Sequence, residues 1–155
     1  MRVYRILRRA YSKTPLDGEG AYRFGGRWSS PGIRVAYVSE HLSLAMLEYL
    51  VHIEPGDLPK DLVVAAAEIP GGIPRASVNP SELPPNWRQT PPPPAIAALG
   101  DAFVRRGRAA ILGVPSALAP IESNWLINPA HPAFSRIRLL PAETFQYDFR
   151  ILRPR

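Results

Sequence analysis

Apolar and polar positions alternate loosely over Val3–Arg8 (VYRILR), which predicts a first strand. Ala10–Gly26 is polar and rich in glycine and aspartate, so it reads as a long loop. Val35–Val38 (VAYV) predicts a short strand. Ser39 then stands where an N-cap is expected for a helix over Glu40–Ile53. Leu42, Ala45, Met46, Tyr49, Leu50 and Ile53 follow the i, i+3, i+4, i+7 template. Leu44, Leu47 and Val51 make this helix apolar nearly all round, which predicts burial on most sides. Pro55–Gly56 ends it.

Leu62–Ile69 predicts a strand, and Pro70–Pro94 reads as loop with Trp87 as its large anchor. Pro91–Pro94 leads into a helix at Ala95–Arg106, where Ile96, Leu99 and Phe103 share a face. Gly107 stops it. Ala109–Val114 reads as a buried strand followed by Pro115, and Ala119–Leu126 as irregular or a short strand. Asn128–Pro129 and His131–Pro132 are turn signals. Ile137–Leu140 and Phe145–Leu152 close the chain. In the latter, Phe145, Tyr147, Phe149 and Ile151 alternate with Gln146, Asp148 and Arg150, the pattern of a half-buried strand. There is no internal repeat and no linker. Strands mostly without intervening helices predict a single α+β domain over residues 1–155.

Composition narrows the function classes. Among 155 residues there is no apolar run long enough for a membrane span and no signal-peptide pattern. The absence of cysteine excludes disulfides and thiolate zinc sites and suits a reducing cytoplasm. The net charge of +6 is almost all arginine, since Lys13 and Lys60 are the only lysines. Arginine prefers planar, bidentate partners. The readings are nucleic acid, a phosphate-bearing ligand, an acidic partner, or mere coding bias. The basic clusters at 2, 5, 8 and 9 and at 105, 106 and 108 lack interleaved aromatics and any nucleic-acid-binding signature, which argues against direct nucleic-acid binding. His41, His52 and His131 have no metal-ligand spacing.

Four places carry candidate chemistry. Glu48 lies among apolar residues of its helix, and a buried carboxylate needs a partner. It meets an arginine, faces solvent, or faces a cavity. Gly25 and Gly26 deliver Arg27, and two glycines allow close backbone approach. The fork of Arg27 suits a pyrophosphate, while a tight hairpin with a surface arginine fits equally. Tyr37 ends a strand and serves either as a core aromatic or as a ligand contact. Ser123 lacks a nucleophile elbow, so it orients a ligand or simply forms a turn.

In this order and spacing, the chain resembles the RES domain family, toxins of bacterial RES–Xre toxin–antitoxin pairs. The resemblance rests on YRI at Tyr4–Ile6, GGRW at Gly25–Trp28, and VAYVSE at Val35–Glu40. It continues through AMLEYL at Ala45–Leu50, VPSA at Val114–Ala117 and SNWLINPAHP at Ser123–Pro132. One departure is Ser29, where the family commonly has Asn. The resemblance implies a split, mixed β-sheet with flanking helices, like that of ADP-ribosyltransferases. It implies breakdown of NAD⁺ as substrate, by hydrolysis or phosphorolysis, or transfer of ADP-ribose to a protein. Arg27, Glu48 and Ser123 match the family's namesake residues. The resemblance further implies that Glu48 stabilises an oxocarbenium-like ribose and Arg27 engages phosphate or ribose. Tyr37 bounds the nicotinamide, Ser123 positions it, and Gly25 and Gly26 let the dinucleotide approach. It implies no metal or prosthetic group, and a homodimer bound by an Xre-like helix-turn-helix antitoxin. Met46, two positions before Glu48, departs from the paired-glutamate pattern of arginine-directed transferases.

Overall fold

The computed structural model describes residues 1–54 and 56–152, so Pro55, expected to end the helix, lies outside the described residues. In chain order the elements are β1 (Arg2–Arg8), α1 (Glu19–Phe24), β2 (Ala36–Ser39), α2 (Leu42–Leu50), β3 (Leu62–Glu68) and β4 (Arg75–Ser77). They continue with α3 (Pro94–Arg106), β5 (Ile111–Pro115), β6 (Ser123–Ile127), β7 (Arg138–Leu139) and β8 (Glu143–Thr144). The strands form one eight-stranded sheet in the order β4-β5-β6-β2-β1-β3-β7, with β8 also on β3. Pairing is antiparallel except between β4 and β5. This is the α+β class that the order of elements predicts, with the mixed sheet that the family resemblance implies.

Strand alternation divides the core between two faces. On one, Val3, Ala36, Val38, Ala67, Ile111 and Ile127 pack under loops that contribute Leu16, Ile73 and Phe134. The other face carries the helices. Ile96 and Phe103 of α3 and Ala21 of α1 cover Leu112, Val114 and Leu126 of β5 and β6. Ala45, Leu42, Met46 and Tyr49 of α2 cover Ile6, Leu62 and Val64 of β1 and β3. Between the two helix groups, β2 and β6 hold the paired residues Tyr37 with Leu126 and Ser39 with Asn124.

Five expectations change. Glu19–Phe24 is helical, not loop; the Asp17 carboxylate accepts the Glu19 N–H at 3.0 Å and starts it. Arg75–Ser77 adds a three-residue edge strand inside the expected Pro70–Pro94 loop. Ser39 ends β2 instead of capping α2, because its hydroxyl is spent on Asn124; His41 takes the N-cap position without a side-chain cap. The α2 helix is not buried on most sides: Leu47 is 46% and Val51 55% exposed. Phe145–Leu152 is not a strand. The Asp148 carboxylate captures the Arg150 backbone and guanidinium, a local bond that competes with a ladder, and a 3₁₀ turn follows at Phe149–Leu152. Phe145 and Tyr147 instead stack edge to face at 4.9 Å, and the Tyr147 hydroxyl donates to the Met46 carbonyl at 2.6 Å.

Candidate active site

Glu48 follows Leu44 and Ala45, both buried, by four and three residues, so it lies on the sheet-facing side of α2. It forms no ion pair with an arginine among the described residues, although Arg27 lies close enough to feel its charge. Its Oε1 accepts from the Ser116 hydroxyl at 2.8 Å and from the Asn124 amide at 2.5 Å. Ser116 follows β5, is fully buried, and accepts in turn from the N–H groups of Leu118 and Ala119 at 3.1 Å each. Oε2 has no protein donor among the described residues. Burial of a carboxylate is tolerated here because both donors converge on one oxygen.

Arg27 is presented by a tight turn. Gly26 and Ser29 pair their backbones at 2.9 and 3.4 Å, leaving Arg27 and Trp28 at the tip. The buried Asp101 of α3 clamps the turn, accepting from the Ser30 N–H at 2.8 Å and its hydroxyl at 2.6 Å. A Cβ on Gly100 would stand 1.8 Å from the Trp28 carbonyl, so α3 meets the turn only because that position is glycine. Arg27 Nη1 donates to the carbonyls of Trp87 and Gln89 at 2.8 and 2.9 Å, and Nη2 to Thr90 at 3.3 Å. Its Nε–H has no acceptor among the described residues. Burial lowers the Arg27 pKa, and the nearby Glu48 charge offsets part of that shift.

Tyr37 joins the turn to the sheet. Its hydroxyl lies 2.8 Å from the Ser29 hydroxyl and accepts the Trp28 N–H at 3.1 Å. Burial pushes its pKa up to about 12, so it stays protonated. Those bonds occupy the hydroxyl, and the ring packs against the core cluster under α3.

Two expectations take a different form. Gly25 and Gly26 do make room, but for protein: a Cβ would stand 2.9 Å from the Pro31 ring and 2.7 Å from the Tyr37 hydroxyl. Gly25 also has a positive φ of 69° that disfavours other residues. A side chain at either position would therefore collide with Pro31 or Tyr37. Ser123 precedes Asn124 on β6, so the two side chains face opposite sides of the sheet. Its backbone N–H donates to Glu40 at 2.6 Å, and its hydroxyl has no partner among the described residues. The structure brings Arg27, Tyr37 and Glu48 to one face and adds Ser116 and Asn124; it does not bring Ser123 to the Glu48 carboxylate. Ser116 and Asn124 lie inside VPSA and SNWLINPAHP, yet nothing local in the sequence shows that they converge.

Glu40, His41 and Glu122, at the same end of the sheet, bring their ligand atoms within 4.8 Å of one another. Glu40 Oε1 is already engaged by Ser123, and His41 Nδ1 lies 3.3 Å from Glu122. No helix among the described residues is long and apolar enough to cross a membrane.

A mixed-sheet α+β domain with an arginine turn and a half-buried glutamate between its helices is the class that fold and site define. The RES domain family model matches residues 2–149, and the chain belongs to that family. The "Prs ADP-ribosylating toxin" of Sphingobium sp. (strain YBL2) is 34% identical over 147 residues, covering 94% of this chain and 91% of that protein. A "Toxin Res" of Yersinia enterocolitica is 36% identical over 152 residues, covering 97% and 99%. Among solved structures, the M. tuberculosis MbcT–MbcA toxin–antitoxin complex contains a chain with TM-score 0.74 and 16% identity, covering 93% of this chain and 83% of that one. This last likeness concerns the fold.

Proposed function

We propose that this chain is the toxin of a toxin–antitoxin pair and cleaves the nicotinamide–ribose bond of NAD⁺, with water or phosphate as acceptor. The observation that carries the reading is Glu48: a half-buried carboxylate with one oxygen saturated by protein donors and the other free. Cleaving a glycosidic bond builds positive charge on the ribose. A fixed negative charge in a partly dry cleft stabilises that charge more in the transition state than in the ground state. The free Oε2 is the atom for this task and also accepts from ribose hydroxyls. Arg27 turns its remaining N–H groups toward phosphate or ribose oxygens, and the Tyr37 ring bounds the nicotinamide. Ser116 takes the serine role beside Glu48, in place of Ser123.

A second reading keeps the bond broken and changes the acceptor to a protein. The name of the Sphingobium relative favours it. Met46, half-buried in the α2 core, leaves no second carboxylate two residues before Glu48 to activate a protein side chain, which weighs toward water or phosphate. The proposed partner is an Xre-like helix-turn-helix antitoxin, with a homodimeric toxin in the cytoplasm, where NAD⁺ is abundant. NAD⁺ is substrate, and no prosthetic group is assigned.

The test is product analysis. Purified chain is incubated with NAD⁺ carrying label in the adenylate, with and without phosphate, and with cell lysate. Free ADP-ribose, or its phosphorylated form when phosphate is present, supports the first reading. Label on protein alone supports the second, and intact NAD⁺ in every arm overturns both.

A further inference from the structure

The geometry points to Asn124 as a positioning residue for Glu48, with Ser39 acting through it; this rests on the proposed role of Glu48. The cross-strand pair Ser39 and Asn124 is buried or half-buried at the end of β2 and β6. The Ser39 hydroxyl donates to Asn124 Oδ1 at 2.6 Å, and Asn124 Nδ2 donates to Glu48 Oε1 at 2.5 Å. A serine hydroxyl has one proton, and here Oδ1 takes it. The amide is thereby turned so that its NH₂ end faces the carboxylate. In the opposite orientation, Oδ1 would face the lone pairs of Glu48 and repel them.

This relay does something Ser116 alone does not. One hydroxyl donor fixes a point on a carboxylate but lets the group rotate about it. A second donor, from a different strand, fixes the plane. Oε2 is then held at one place in the cleft, where a developing ribose cation needs it. Hydrogen bonds onto a charged acceptor are about twice as strong as neutral ones, and each link in such a chain polarises the next. Asn124 spends one of its two amide N–H groups on Glu48, so removing that bond acts first on the carboxylate. The expected effect is on turnover rather than on binding.

The experiment measures kcat and KM for nicotinamide release in the full chain and in Asn124→Ala, Ser39→Ala and the double variant. Asn124→Ala is expected to lower kcat about 10- to 100-fold, the worth of one hydrogen bond to a charged group, with KM nearly unchanged. Ser39→Ala is expected to lower kcat about 3- to 10-fold. The double variant should match Asn124→Ala, because Ser39 has nothing left to act through. Additive losses overturn the relay. A loss expressed in KM makes Asn124 a substrate contact instead, and an unchanged kcat in Asn124→Ala overturns its role. If the wild-type chain releases no nicotinamide, the reading of Glu48 fails separately. Crystal structures then decide the positioning claim: Glu48 in one orientation in wild type and spread in Asn124→Ala upholds it, and one orientation in both overturns it.

Discussion

Glu48 offers a way to separate charge from packing. In Glu48→Ala, Asn124 Nδ2 and the Ser116 hydroxyl lose their shared acceptor. A buried donor left without a partner costs about 1–3 kcal/mol. Ser116 is fully buried and Asn124 half-buried, so the pair sums to about 2–4 kcal/mol, water replacing part of the loss at Asn124. For a domain of this length that lowers the unfolding midpoint by roughly 5–15 °C. Glu48→Gln is different. The amide oxygen still accepts both bonds, and the new NH₂ takes the place of Oε2. Each bond weakens by about 1 kcal/mol without the charge, and relief of the carboxylate's desolvation offsets that loss. The net change stays within about 1 kcal/mol. Thermal and urea unfolding of the three proteins checks this. An alanine variant as stable as wild type would show that the network contributes nothing. A glutamine variant as unstable as alanine would show that the charge is structural, and the reasoning about a free, functional Oε2 would fail.

Other outcomes follow from the same geometry. Gly26→Ala drives a methyl against the Tyr37 hydroxyl and should destabilise by about 1–3 kcal/mol, read by unfolding; an unshifted midpoint contradicts the close approach. Ser116→Ala should lower nicotinamide release at least about 10-fold, while Ser123→Ala, whose contact runs through its backbone, should stay within about 3-fold; the reverse order would restore Ser123 to the site. Tyr37 has its pKa raised from 10.0 to about 12 in the fold, so between those values the folded chain holds a proton the unfolded chain has lost. Stability therefore falls as pH rises from about 10 to 12, and Tyr37→Phe should lessen that fall without removing it, since Tyr147 is raised likewise. A slope unchanged by the substitution would contradict the burial of the phenol.

How much of this was legible in the sequence depends on the range of the interaction. Most periodic segments hold: β1, β2, β3, α3 and β5 follow their apolar patterns, α2 forms but spans Leu42–Leu50 rather than Glu40–Ile53, and Gly107 does end α3 in a left-handed conformation. Errors fall where a local side-chain bond overrides periodicity, as at Asp148 and Arg150, or where a residue's hydroxyl is claimed by a distant partner, as at Ser39. Glu48, Arg27 and Tyr37 stood out because each is an unusual choice for its segment. Asn124 and Ser116 did not, because an asparagine and a serine near turns look ordinary; only the pairing of β6 with β2 and β5 brings them to Glu48. The glycines of GGRW are legible for their conformational freedom, but that a side chain there would meet Tyr37 and Pro31 depends on residues further along the chain.

The most direct measurement of the central claim is the rate of nicotinamide release from NAD⁺ by folded wild-type chain and by folded Glu48→Gln, freed of any antitoxin. Release by the wild type, lowered about 100- to 1,000-fold in Glu48→Gln at an unchanged unfolding midpoint, is the result predicted for a carboxylate that stabilises a ribosyl cation. Equal rates in the two proteins, or no release by either, would contradict it.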